Sequence, residues 1–187
     1  MSVTVHRLRP KARLCNQAVE DALLQADRSP MRDAVARKIE EIFEIVYIDY
    51  ANDHNTRETP QRVARVIVDE MMRGRFEPPP EITEFDNALG FDQLMVTGPI
   101  DLRSTCAHHL LPIYGYAYIG VLPSASGKII GLSKYDRIVD HFSARPQIQE
   151  ELVKQIGQHI VDMTKPRGLA VRISAVHMCN RVLGQHR

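Results

Sequence analysis

The amino-acid sequence predicts an α+β fold: an antiparallel sheet backed by two helices, with a helical extension before it. Three observations point there. The stretch from Leu94 is rich in β-branched and aromatic residues, two segments of helical apolar spacing follow it, and an alternating segment closes the pattern near Cys179. Strands, then two helices, then a strand is the order expected when helices cover one side of an antiparallel sheet.

The elements follow in chain order. "SPMRDAVARKIEEIFEIV" opens with Ser29 as an N-cap and Pro30 at the first helical position, and Val35, Ile39, Ile42, Phe43 and Val46 recur at helical spacing. A polar loop, "DYANDHNTRE", leads to "TPQRVARVIVDEMMRG", where Thr59 and Pro60 repeat the start signal and Gly74 supplies the stop. "FEPPPEITEF" is an extended linker, since three successive prolines remove amide donors and fix φ. From Leu94, paired strands are predicted, with "SASG" as a loop. "SKYDRIVDHF" takes Ser133 as N-cap with Asp136 three residues on. "RPQIQEELVKQIGQHIVDM" spaces Ile148, Leu152, Ile156 and Ile160 four apart. "KPRG" turns into a last strand, "LAVRISAVHMC", on which Ile173, Ala175, His177 and Cys179 share one face. The expected organisation is a basic flexible arm over residues 1–28, a helical region with its proline-rich linker over 29–80, and the main domain over 81–187.

The totals bound the function. A chain of 187 residues suits one ordinary domain, and 24 Lys+Arg against 23 Asp+Glu leave a net charge of +1. That balance gives no reason to expect nucleic acid or a membrane surface as a partner. No apolar run approaches the roughly 20 residues needed to cross a bilayer, and "MSVTVHRLRPKARLC" lacks the hydrophobic core of a secretory signal. The arm reads as a flexible tail, with a short organellar targeting peptide as the other reading, and the chain as cytoplasmic. Cys15, Cys106 and Cys179 are an odd set without a disulfide framework, which suits a reducing compartment and metal or catalytic use.

"STCAHHLLPIYG" carries the densest chemistry. Zinc accepts thiolate and imidazole, and a catalytic site takes three protein ligands with a fourth position open. Cys106 and His109 supply two ligands at loop-compatible spacing, and Cys179 supplies a third. The alternative is a buried thiol beside hydrogen-bonded histidines. His108 and His177 would lie next to the metal without being needed as ligands, where imidazoles are useful for moving protons near neutral pH. Were either to become a fourth ligand, the site would close and be structural.

Two further groups stand out. Lys134 and Arg137, beside Ser133 at a helix start, put two cations, a hydroxyl and free amides in one region that fits phosphate. Arg62 and Arg65 repeat the spacing on another helix; for both pairs a solvated helix face is the plainer reading. Glu150, after Gln149, offers a carboxylate that, if buried, accepts two hydrogen bonds from the N–H and NH2 edge of a guanine-like ring; otherwise it is an ordinary surface residue.

Taken together, "ETPQRVARVIVDEM", "STCAHHLLP", "GLSKYDRIVDHFSARPQIQEEL" and "AVHMC" resemble the GTP cyclohydrolase I family, in the family's order, from about Glu58 to Cys179. The resemblance implies a tunnelling fold, with a four-stranded antiparallel sheet backed by two helices and subunits closing into a barrel-like ring, usually a decamer of two pentamers. It implies Zn2+ held by Cys106, His109 and Cys179, proton transfer by His108 and His177, and guanine contacts from Gln149 and Glu150. It assigns the triphosphate of GTP to Ser133, Lys134 and Arg137, with Arg62 and Arg65 reaching in from an adjacent chain. The implied reaction is hydrolytic opening of the imidazole ring of GTP at C8, loss of formate, and closure of a pterin ring to 7,8-dihydroneopterin triphosphate, a step of pterin and folate biosynthesis.

Two positions depart from the family pattern. Ala107 stands where the family has the acid of Cys-Glu-His-His. The family also continues as C-x-x-x-R-G with a further strand and helix, whereas this sequence reads "CNRVLGQHR", with Leu183 at the position of a phosphate-binding arginine and Arg181 two residues before it. These departures predict either a shortened chain with weakened catalysis or a changed substrate. The competing expectations are a same-fold enzyme acting on another purine or pterin, and a noncatalytic member that keeps zinc as a staple.

Overall fold

A computed structural model describes residues 14–19, 24 and 26–182. Residues 1–13 of the expected arm, and Leu183, lie outside the described residues.

Helix α1 spans Ser29–Ile45, with proline in its first turn. Arg28, not Ser29, takes the N-cap position. Asp27 explains the shift, because its carboxylate accepts the Ser29 N–H at 2.9 Å and the Ser29 hydroxyl at 2.8 Å. Helix α2 spans Thr59–Arg65, widens into a π-helical turn over Val66–Met71, and resumes as α3 over Arg73–Phe76. Gly74 therefore does not stop the helix. Its N–H donates to the Ala144 carbonyl at 2.8 Å, and a side chain there would meet the carbonyl oxygen of His141. The glycine serves close approach rather than termination. Helix α1 packs on α2, and Arg28 and Arg32 both reach Asp69, at 3.4 and 3.1 Å.

The proline-rich segment leads into β1, Glu84–Asp86. Then come β2, Met95–Cys106, β3, Pro112–Leu122, and β4, Lys128–Ile130. Helix α4 covers Leu132–Ser143, β5 is Pro146–Gln147, and α5 covers Gln149–Thr164. Strand β6, Gly168–His177, runs into a short helix α6, Met178–Val182. Strands β1 and β4 form a small antiparallel pair, and the main sheet has the order β5-β2-β3-β6. Its three long strands are antiparallel, but β5 is parallel to β2. The expected four-stranded antiparallel sheet is thus three strands plus a two-residue parallel edge. Pro146 has no N–H to extend that pairing, and α5 begins two residues later.

Alternation puts Ile113, Ala117, Ile119 and Val121 of β3 on the covered face, against Ile138 and Val139 of α4 and Leu152, Ile156 and Ile160 of α5. Each such aliphatic side chain, fully buried, contributes roughly 1.5–3 kcal/mol of transfer free energy. The other face leaves Tyr114 and Tyr116 exposed. β2 pairs with β5 only at Thr105 and Cys106, so the rest of its outer edge has no partner strand among the described residues. Among the described residues, no helix is long and apolar enough to cross a membrane.

Candidate metal centre and active site

Sheet register brings the site together. Thr105 pairs with Pro112 across β2 and β3, and Ile113 pairs with His177 across β3 and β6. The C-terminal ends of β2 and β6 therefore flank the start of β3, and the side chains that follow them meet at one end of the sheet. After Cys106 the chain makes a tight turn, with the Cys106 N–H donating to Leu111 O at 2.8 Å and the Leu110 N–H to Cys106 O at 2.9 Å. Leu110 takes a positive φ of 55° to close it. The turn carries His108 and His109 outward, both exposed, while Cys106 stays buried.

Cys179 is not on the last strand, as alternation suggested. β6 ends at His177, and Cys179 lies in the first turn of α6, still buried. The helical turn draws its sulfur to 3.7 Å from that of Cys106. Arg181 also belongs to α6 and is exposed.

Ligand atoms of Cys106, His109 and Cys179 all lie within 4.8 Å of one another. Two thiolates on a tetrahedral zinc, each at about 2.3 Å, stand about 3.8 Å apart, so the sulfur separation fits that ion. His109 Nδ1 is 4.0 Å from the Cys106 sulfur, and His108 Nδ1 is 3.8 Å from it. Both cysteines are free thiols. Burial, then the hydrogen bond and charge of the neighbouring Cys106 sulfur, push the Cys179 thiol above its ordinary range. A cation bound between two sulfurs favours both as thiolates. Thiolate, thiolate and imidazole are the donor set that zinc prefers.

Around this cluster the residues read from the sequence fall into separate groups. His177, half-buried at the end of β6, lies with Nε2 at 2.9 Å from Oε1 of Gln149, the first residue of α5. Glu150 follows on that turn and is exposed in the single chain, so the buried carboxylate considered above is not found here. Ser133, Lys134 and Arg137 line the first turns of α4. The cap is Gly131, with extended backbone, and Ser133 lies inside the helix without a capping bond. Two residues of offset leave its hydroxyl exposed rather than turned onto the helix end. Arg62 is engaged at 2.8 Å by Glu58, the N-cap residue of its helix, and Arg65 borders a groove between α1 and α2 with Arg32, Asp33 and Gln61. Among the described residues neither arginine makes a hydrogen bond or ion pair to the α4 group or to the sulfur cluster.

Sequence reasoning passed over Arg145 and Gln147. Gln147 is 1% exposed, and its side chain donates to Phe142 O at 2.6 Å and Gln155 Oε1 at 3.0 Å. Its carbonyl accepts the Ala107 N–H at 3.0 Å, tying the metal turn to the start of α5. Arg145 is 6% exposed and donates to His141 Nε2 at 2.6 Å. The available signal was Pro146, which forces the residue before it out of helical backbone and so marks a short extended link between two helices.

The family model of GTP cyclohydrolase I matches residues 35–187. The chain belongs to the GTP cyclohydrolase I family. It is 36% identical over 187 residues to GTP cyclohydrolase 1 of Shewanella sp. (strain W3-18-1), covering 98% of this chain and 86% of that protein. The GTP cyclohydrolase 1 of Streptomyces coelicolor (strain ATCC BAA-471 / A3(2) / M145) is 44% identical over 130 residues, covering 68% of this chain and 63% of the relative. The mixed α and β architecture, with mainly antiparallel strand pairing and six α-helices among the described residues, is consistent with a tunnelling-type fold.

Proposed function

We propose that this chain is a zinc-dependent GTP cyclohydrolase I, opening the guanine imidazole ring of GTP at C8 with release of formate to give 7,8-dihydroneopterin triphosphate. The observation that carries the reading is the convergence of Cys106, His109 and Cys179 at the joined ends of β2, β3 and β6. Relatives named GTP cyclohydrolase 1, at 36–44% identity, support that enzyme class.

In this reading Cys106, His109 and Cys179 hold Zn2+. When bound, the ion supplies Lewis acidity that brings water into hydroxide chemistry near neutral pH. The residues around it supply the rest. His177, which contacts Gln149, and His108, next to the Cys106 sulfur, are the groups that move protons at the purine nitrogens in this reading. Gln149 and Glu150 meet the guanine edge, where a carboxylate accepts from the ring N–H and the exocyclic amine. Ser133, Lys134 and Arg137 take the triphosphate at the first turns of α4, giving binding energy and orientation remote from the reacting carbon. Arg62 and Arg65 serve a site shared with an adjacent subunit in a ring of two pentamers. The organisation is an arm over 1–28, a helical region over 29–80 and a catalytic domain over 81–187, and the setting is cytoplasmic.

Leu183, at the position where the family carries a phosphate-binding arginine, favours one second reading: the same chemistry on a purine or pterin without a triphosphate. One experiment separates them. Zinc-loaded protein is mixed with GTP, GDP and guanosine while formate and pterin fluorescence are followed. Formate from GTP in preference to the others supports the first reading; equal turnover of all three supports the second; zinc retained with no formate from any defeats both.

A further inference from the structure

Five residues lie between Arg145 and Glu151, among them the two positions, Gln149 and Glu150, that the reading above gives to guanine recognition. Asn16, from the N-terminal segment, spans that interval. Its backbone carbonyl accepts Nη1 of Arg145 at 3.1 Å, and its side-chain amide donates to the carboxylate of Glu151. Asn16 is 3% exposed although it lies 129 residues from Arg145 and 135 from Glu151 in sequence. The segment is itself tied down. Arg75 donates to Cys15 O at 2.8 Å, and the Val19 N–H donates to Arg75 O at 2.9 Å.

Arg145 makes the arrangement informative. Its guanidinium is buried without a carboxylate partner among the described residues, stacked 5.0 Å from the Phe142 ring, with neutral acceptors from His141 and Asn16. A buried cation is costly unless its donors are met, and the Asn16 carbonyl meets one of them while Nε has no partner among the described residues. The link between α4 and α5 also pairs with Thr105 and Cys106 and accepts the Ala107 N–H. The sheet holds the link through Pro146 and Gln147, and Asn16 holds it through Arg145.

We infer that Asn16 is a positioning residue for guanine recognition, clasping Arg145 and Glu151 so that the turn carrying Gln149 and Glu150 is set before the nucleotide arrives. The inference rests on the functional reading above, and on binding rather than turnover. Without the clasp the turn must be ordered by the ligand, which weakens binding of a base that uses the turn and spares one that uses it less. Inosine triphosphate, which lacks the exocyclic amine, is the matched control.

The test measures Kd and KM of the full-length zinc-loaded protein for GTP and inosine triphosphate. In Asn16→Ala, Kd and KM for GTP rise about tenfold, values for inosine triphosphate change less than about twofold, and kcat stays within about twofold of wild type. Glu151→Ala behaves likewise, Glu151→Gln retains an acceptor and restores GTP binding, and the double variant Asn16→Ala/Glu151→Ala is no worse than either single. Equal losses on both nucleotides, a fall in kcat or thermal stability with GTP affinity unchanged, or additive singles overturn the clasp. Wild-type protein that binds GTP selectively but releases no formate defeats the catalytic reading and leaves the clasp to be judged on Kd. Wild-type protein with no preference for GTP over inosine triphosphate overturns the clasp itself.

Discussion

Oε1 of Gln149 lies 2.9 Å from Nε2 of His177, joining the first turn of α5 to the end of β6. An amide oxygen only accepts, so His177 carries its proton on Nε2 and, in the neutral ring, keeps Nδ1 as an acceptor. One residue assigned to the base thereby sets the tautomer of another assigned to proton transfer. Gln149→Ala is expected to lower kcat/KM for GTP about 10–100-fold, about 1.4–2.8 kcal/mol, with zinc content unchanged. His177→Ala and the double variant complete a cycle in which the losses are not additive; additive losses would show that the hydrogen bond carries no function.

The proposed metal ligands are expected to separate from their neighbour. His109→Ala and Cys179→Ser are expected to lose zinc on gel filtration, whereas His108→Ala keeps it and loses turnover instead. Metal analysis after desalting checks this, and full zinc content in His109→Ala removes His109 from the ligand set.

Acid stability is expected to depend on His141. Burial, then the cations of Arg145 and Arg73, lower its pKa from 6.5 to about 4. The unfolded chain therefore takes up the proton first as pH falls. His141 contributes stability that is complete above about pH 6.5 and is lost progressively towards pH 4. Urea midpoints measured from pH 7 to 4 should fall more steeply in wild type than in His141→Gln, any shared loss of a bound metal cancelling in the comparison; parallel curves would contradict the assignment.

The outer edge of β2 and the exposed Tyr114 and Tyr116 are expected to be covered in a ring. Sedimentation should give an assembly near ten chains. Charge reversal by Arg65→Glu should raise KM for GTP without dissociating it, and a stable monomer with full activity would exclude any role for Arg62 and Arg65 from a neighbouring subunit.

Much of the fold could be read in the sequence where the signal is local and periodic. Leu152, Ile156 and Ile160 were readable as one stripe and are 0–1% exposed, and Pro30 and Pro60 both fall in first helical turns. Cys106, His109 and Cys179 were readable as a group because few side chains bind metal and their spacing is compatible with a turn and a distant strand end. What escaped is set by tertiary approach. Gly74 carries a stop signal, yet the helix continues because the α4 end needs the space. Alternation along β6 carried Cys179 onto a strand, whereas the chain coils after His177. Asn16 and Arg145 gave no pattern at all, since polar residues buried by long-range contacts leave no periodic trace.

Cys106 and Cys179 stand 73 positions apart, and only the docking of β6 against β3 brings the second sulfur to the first. During synthesis Cys106 and His109 leave the ribosome long before Cys179, so a partial chain offers two donors and holds an ion weakly. If the proposed ion binds there, its uptake is then an inspection of the fold, succeeding only when β6 has found its place.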